Sequence, residues 1–246
     1  FYKNQTFENN YINFDINKSS SELFKHGISL NISLSEEAIN KVLICIKDKE
    51  FDFNNEKEKK VKFTDRFLHK DLYMLNYRNP HHDHNIFNEI FLNKNIVNLV
   101  KNYLGVEPIL ENSRIYWSLP YIDENGKFLT PPNNEYGYHY DIDGFKFLKL
   151  FFYLTDVTKD HGPHVFIKNT GNKSYYKFLN RRITDEDVDK RYSNQKVTIT
   201  GNKGTGFIED TSFYHKATYP KYERGVLSCL CNINKWWAEN FYLLFN

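Results

Sequence analysis

The chain has 246 residues, enough to bury a substantial core in one large domain or two small ones. Its formal charge is only +2, and no basic cluster of the kind a nucleic-acid binder needs is visible. No stretch approaches the ~20 apolar residues of a membrane span and no secretory leader pattern is present, while three cysteines are too few for a disulfide framework, which points to a reducing, cytoplasmic setting.

The chain opens on Phe1 rather than Met, as a trimmed or processed product does. Its first part, 1–112, reads as mainly helical. Ser33 and Glu36 have capping-box spacing, and Ile39, Val42, Leu43 and Ile46 then fall on one helical face. The mixed-charge run around Lys59, Lys60 and Lys62 reads as a solvated loop or helix face. Pro80-His81-His82-Asp83-His84 is a second place where a metal could bind, although a polar His-rich loop is more often simply solvated. A further helix is predicted over Asn95 to Leu104, with Ile96, Leu99, Val100 and Tyr103 as its stripe and Gly105 as its C-terminal cap.

From about Ser113 the pattern turns to short strands. "RIYWSLPY" is aromatic and β-like, Asn125-Gly126 is a tight-turn signal, and Thr130 to Asn133 form a loop. "YGYHYD" and "KFLKLFFYLTDV" follow as strands, and Asp160, Gly162 and Pro163 turn the chain, flanked by His161 and His164 as turn residues. Thr184 to Arg191 reads as a short polar helix. "KVTIT", "GTGFIED", "SFYHKAT" and "GVLSCLCNI" are four more strands, the last carrying Cys229 and Cys231 on one side as small core residues. Many short strands at close spacing predict a mainly β, cupin-like jelly roll (double-stranded β-helix) over 113–235 with the helices layered outside it, the whole of 1–246 forming one domain.

His139 and Asp141 stand two apart at the end of a predicted strand, so their side chains share a face. His215 lies in another strand-like segment. Two imidazoles and one carboxylate on one side of a metal leave positions open for co-ligands, the arrangement of non-haem iron(II) oxygenases. Arg224, nine residues beyond His215, can return beside the metal on the next strand, where its planar fork suits a carboxylate. Asp143 is a weaker alternative to Asp141, because its spacing from His139 fits a strand end less well.

"YHYDIDGFKFLKLFFYLTDV", "DHGPHVFIKNTGNK" and "GFIEDTSFYHKATYPKYERGVLSCLCNI" together resemble the phytanoyl-CoA dioxygenase family of iron and 2-oxoglutarate oxygenases, over roughly Tyr116 to Ile233. The family's Pro-Gly-Ser-His-like loop is replaced here by Lys168-Asn169-Thr170-Gly171-Asn172. The resemblance implies iron(II) held by His139, Asp141 and His215, with 2-oxoglutarate chelating it and O2 taking the remaining position. It implies Arg224 at the far carboxylate of the cosubstrate, with Thr218 in support because Ala217 has no hydroxyl. On the strand from Phe147, Lys149, Phe151 and Tyr153 share one face and Leu148, Leu150 and Phe152 the other, so Lys149 or Tyr153 is placed toward the cosubstrate. A carboxylate at Asp141, where halogenases of this kind have a small residue, implies hydroxylation of a small molecule. Desaturation, ring closure or epimerisation keep the same residues. A non-catalytic cupin-like module that holds a sugar or lipid precursor is the reading from another class. Trp236-Trp237 near the end is expected to be a packing lid or a contact between copies.

Overall fold

In a computed structural model the described residues are 6–132, 136–171 and 181–233, so Trp236-Trp237, Asn133 and Asn172 lie outside them. The chain begins with β1 (Ile12–Phe14), α1 (Ile16–His26), β2 (Ile28–Leu34) and α2 (Glu36–Ile46). β3 (Glu50–Phe53), β4 (Glu56–Lys62) and β5 (Met74–Arg78) lead to α3 (Pro80–Asp83), α4 (Asn85–Phe91) and α5 (Lys94–Leu104). Next come β6 (Ile109–Ser118), β7 (Tyr138–His139), β8 (Phe147–Tyr153), β9 (His164–Ile167), β10 (Arg182–Ile183) and α6 (Asp185–Tyr192). β11 (Lys196–Ile199), β12 (Thr205–Glu209), β13 (His215–Lys216) and β14 (Arg224–Asn232) complete the order.

These strands form two antiparallel sheets. The larger runs β1-β2-β12-β8-β14-β6-β5-β3-β4 and the smaller β10-β7-β13-β9-β11. Alternation assigns the faces. On β14, Leu227, Cys229 and Cys231 point to the outer core with Ile39 and Val42 of α2 and Leu99 and Val100 of α5. Val226 points inward, where Tyr153, Phe207 and Ile28 of the large sheet meet Phe166 and Ile199 of the small one. A third cluster, Tyr138, Val165, Ile167 and Tyr214, covers the outside of the small sheet against Val188 of α6. Two sheets closed on a common interior, with helices packed against the larger, make a jelly roll.

Several sequence expectations change in detail. The cap of α2 is Ser35, whose hydroxyl accepts from the Ala38 amide at 3.2 Å, because Ser33 is committed to β2. The charged run 56–62 is β4, the outer strand of the large sheet, where exposed charge prevents edge-to-edge pairing. The first part of the chain carries β1 to β5 beside its helices, and these strands extend the large sheet at both ends. Asn125-Gly126 does turn the chain, with Gly126 at φ 79° and a bridge between Ile122 and Phe128.

Candidate metal centre

β7 and β13 lie side by side in the small sheet, and their registered pair is His139 with His215. The pairing brings the two imidazoles to 4.5 Å between ring centroids on the inner face. Asp141 follows just past the end of β7, its amide donating to the Thr211 carbonyl at 2.7 Å. The ligand atoms of His139, Asp141 and His215 all lie within 4.8 Å of one another. Asp141 Oδ1 is 3.9 Å from His139 Nε2, and Oδ2 is 3.6 Å from His215 Nε2. Right-angled ligands about 2.1 Å from a metal stand roughly 3 Å apart, so the three side chains need to draw in by about 1 Å to share one ion.

The two histidines are oriented alike. Nδ1 of His139 meets the Gly137 carbonyl at 2.8 Å, and Nδ1 of His215 meets the Phe213 carbonyl at 2.9 Å. A carbonyl only accepts, so each ring carries its proton on Nδ1 and turns a free Nε2 lone pair toward Asp141. Burial pushes His215 down to about 4, which keeps that lone pair available at neutral pH.

Lys149, on the inner face of β8, binds Asp141 Oδ2 at 2.7 Å and Asp143 Oδ2 at 2.6 Å. Burial works to raise the Asp141 pKa, but the neighbouring Lys149, His215 and His139 outweigh it and hold the group well below the usual carboxylate range. Asp143 therefore shares a lysine with Asp141 and does not replace it.

Arg224 opens β14 on the same inner face, where burial removes almost all of its surface. Its guanidinium donates to the Gly162 carbonyl and, at 3.4 Å, to the Ser118 hydroxyl, while Nε has no partner. Thr218 donates to the neighbouring Pro163 carbonyl at 2.8 Å. Both residues thus converge on the Gly162-Pro163 turn. Gly162 sits at φ 67°, and a Cβ there would meet the Thr218 carbonyl oxygen at 2.4 Å, so the turn tolerates only glycine. The Tyr153 hydroxyl donates to the Ile199 carbonyl at 2.8 Å and accepts from the His164 amide at 3.2 Å, which makes Tyr153 a strut between the sheets.

His164 and Glu209 carry no role in the sequence reading, which assigns His164 to a turn. His161 does cap that turn, with Thr158, but His164 lies on β9 and faces inward, stacked 5.5 Å from His215. Its Nε2 is 3.1 Å from Oε2 of the fully buried Glu209. Burial pushes Glu209 up to about 8 and His164, helped by Arg224, down to about 3, so both shifts disfavour an ion pair between the two. The signal available in the sequence was the first of two adjacent acids in "GFIED". His81 is spent elsewhere: its Nδ1 meets the Ser113 hydroxyl at 2.6 Å. Among the described residues His81, His82 and His84 form no three-ligand group.

No protein-family model matches the sequence. One curated relative, the protein Ycf2 of Physcomitrium patens, is 27% identical over 293 aligned positions that take in 99% of this chain, and the chain spans 13% of that protein's length. Solved structures are similar in fold at low identity. The epimerase SnoN of nogalamycin biosynthesis, in complex with Fe3+, alpha ketoglutarate and nogalamycin RO, has a TM-score of 0.59 at 11% identity, over 88% of this chain and 82% of its own. EctD from S. alaskensis, with 2-oxoglutarate and 5-hydroxyectoine, has a TM-score of 0.58 at 14% identity, over 87% and 74%. EvdO2 from Micromonospora carbonacea var. aurantiaca, complexed with 2-oxoglutarate, has a TM-score of 0.57 at 12% identity, over 89% and 91%. At these identities the likeness is one of fold, and the jelly roll of this chain is the fold of those proteins.

Proposed function

We propose that the chain is an iron(II)- and 2-oxoglutarate-dependent dioxygenase of the phytanoyl-CoA dioxygenase type, one oxygenase domain across 1–246, acting on a small molecule. The observation that carries this reading is the convergence of His139, Asp141 and His215, with both Nδ1 atoms engaged and both Nε2 atoms turned inward. The similar structures support it, since those described above were solved with 2-oxoglutarate or alpha ketoglutarate.

An iron(II) ion held there would supply, with 2-oxoglutarate and O2, the oxidising power to break a substrate C–H bond. The rest falls to the chain's own residues. His139, Asp141 and His215 hold the ion. Arg224 offers its fork to the far carboxylate of 2-oxoglutarate, and its unpartnered Nε is a donor waiting for an acceptor. Thr218 and Tyr153 fix the backbone at Pro163 and His164 and so shape that end of the pocket. Lys149 keeps Asp141 ionised and oriented. Phe151, Phe207 and Val226 line the interior and exclude water.

Hydroxylation is the outcome we assign, because Asp141 fills the place that a halogenating site leaves small. An epimerase shares the fold, and desaturation or ring closure would use the same residues up to hydrogen abstraction. No helix among the described residues is long and apolar enough to cross a membrane, and Cys45, Cys229 and Cys231 are all unpaired, which supports a cytoplasmic setting.

The test is succinate production from 2-oxoglutarate with iron(II) and O2. The wild-type chain should form succinate, and Asp141→Ala should lose at least a hundredfold of that rate with its circular dichroism unchanged. If neither protein forms succinate, the reading gives way to a non-catalytic cupin-like binding module.

A further inference from the structure

The large sheet is wider than the small one, and its inner face stays half-exposed along β6. There Arg114 and Tyr116 are half-buried while Ser113, Ile115 and Trp117 on the other face are buried. Arg114 pairs with Ser228 of β14 on one side and with Arg78 of β5 on the other. Two arginines directly opposite each other share one face of the sheet.

The surroundings are built to hold these groups in place. Arg78 Nε binds the buried Asp52 at 2.6 Å, and its Nη2 donates to Asn55 Oδ1 at 2.5 Å. Lys60 shares the same Asp52. Asn76, beside Arg78 on β5 and almost fully buried, donates to Asn55 at 2.9 Å and leaves its own Oδ1 without a partner. Arg114 donates to the Tyr116 hydroxyl at 3.4 Å, and Tyr116 in turn lies within electrostatic reach of Lys149, the lysine on Asp141. Polar groups therefore stand at intervals between the metal ligands and the arginine pair, Lys149 first, then Tyr116 and Arg114.

Register gives the spacing. Lys149, Leu230 and Asn112 stand in one row across β8, β14 and β6, and Arg114 is two residues further along β6. Two strand spacings and two residues put the Cα atoms of Lys149 and Arg114 about 12 Å apart. The arginines therefore lie within the span of a small molecule from the lysine that holds Asp141.

We propose that Arg114 and Arg78 form the anion-recognition end of the substrate site, so that the substrate is a small molecule with a phosphate or carboxylate at the end away from the carbon that reacts. The proposal rests on the dioxygenase reading for the reaction, but the anion site itself does not need it. An anion at this end takes charge-assisted hydrogen bonds from the two guanidinium groups. Asn76 Oδ1 then accepts from a neighbouring hydroxyl of the same molecule. Arg224 stays with the cosubstrate, on the inner face at the opposite end of β14 from Asn232.

Calorimetric titration of the iron-free chain, with no 2-oxoglutarate present, tests this with three probes: phenyl phosphate, benzoate and neutral phenol. Phenyl phosphate or benzoate should bind and phenol should not, and which anion binds tells phosphate from carboxylate. Arg114→Gln should weaken that binding about tenfold to a hundredfold, the scale of one lost charged hydrogen bond. Arg224→Lys and the surface control Lys25→Gln should leave it within about twofold, although Lys25→Gln removes the same charge. Arg78→Lys retains a partner for Asp52, keeps the fold, and should weaken the anion by loss of the fork. Absence of anion binding in the wild type, equal affinity in Arg114→Gln, or loss in Arg224→Lys instead would overturn the proposal. Succinate formation by the wild type is measured in parallel, so a failure of the dioxygenase reading shows separately from a failure of the anion site.

Discussion

Arg224 is a charged side chain that its surroundings satisfy only in part. It is buried, it borrows the Gly162 carbonyl, and one of its donors has no partner. Replacement by lysine removes the planar fork while keeping the charge. Arg224→Lys should therefore raise the Michaelis constant for 2-oxoglutarate about tenfold to a hundredfold, the loss of one charged hydrogen bond. Succinate formation against 2-oxoglutarate concentration at fixed iron(II) measures it, and an unchanged curve removes Arg224 from the cosubstrate. The convergence of His139, Asp141 and His215 was legible because a two-residue spacing at a strand end puts His139 and Asp141 on one side, and the offset of Arg224 from His215 suits a returning strand. His164 and Glu209 were not legible. A histidine beside Gly162-Pro163 looks like a turn residue, and only the pairing of β9 with β13 turns it inward.

At the scale of the elements, the start of β14 is clamped from the other side of the sheet. A Cβ on Gly225 would meet the Trp117 ring at 2.3 Å. Trp117 cannot retreat easily: its indole donates to Glu223 at 2.6 Å, Phe63 packs edge-on at 4.7 Å, and Arg66 reaches the same Glu223 at 3.1 Å. Gly225→Ala should destabilise by roughly 1–3 kcal/mol, lowering the melting temperature by roughly 3–10 °C, and should raise the Michaelis constant for 2-oxoglutarate because Arg224 is the adjoining residue. A melting curve that overlays the wild type would show that the ring can move aside at no cost. Element assignment from sequence fared best where periodicity and caps agree. α5 ends at Gly105 in the left-handed region as its stripe requires, and α6 begins at the Thr184 cap. It failed where burial is shallow or charge masks alternation. α1 buries only Ser19 and Leu23, too little for a stripe, and β4 is charged because it is an edge.

The molecule as a whole should be sensitive to mild acid. Burial pushes the imidazole of His81, which lies clear of the metal centre, down to about 4. Its unfolded value is near 6.5, so between those values the unfolded chain binds a proton that the folded chain refuses. Stability is therefore complete above about pH 6.5 and declines as pH falls toward 4. The contribution of His81 is on the order of 1–3 kcal/mol. Melting temperatures of the metal-free protein between pH 7.5 and 4.5 should show the fall, and His81→Gln should flatten it. A slope identical in that variant would assign the acid limb to other groups.

β14 is among the last segments of the described chain, yet it stands in the middle of the large sheet, with β6-β5-β3-β4 on one side and β8-β12-β2-β1 on the other. Until it is synthesised, β6 and β8 each present a bare edge, and the two flanks have no backbone ladder between them. Assembly on the ribosome must then wait for Arg224 to Asn232 to emerge, and the half-built sheet is exposed to self-association in the meantime. A chain stopped at Glu223 should stay soluble only with a chaperone and show no cooperative melting, whereas supplying 224–246 as a separate peptide should restore a sheet transition. The strand that carries Arg224 is thus also the keystone that decides when the protein becomes one structure.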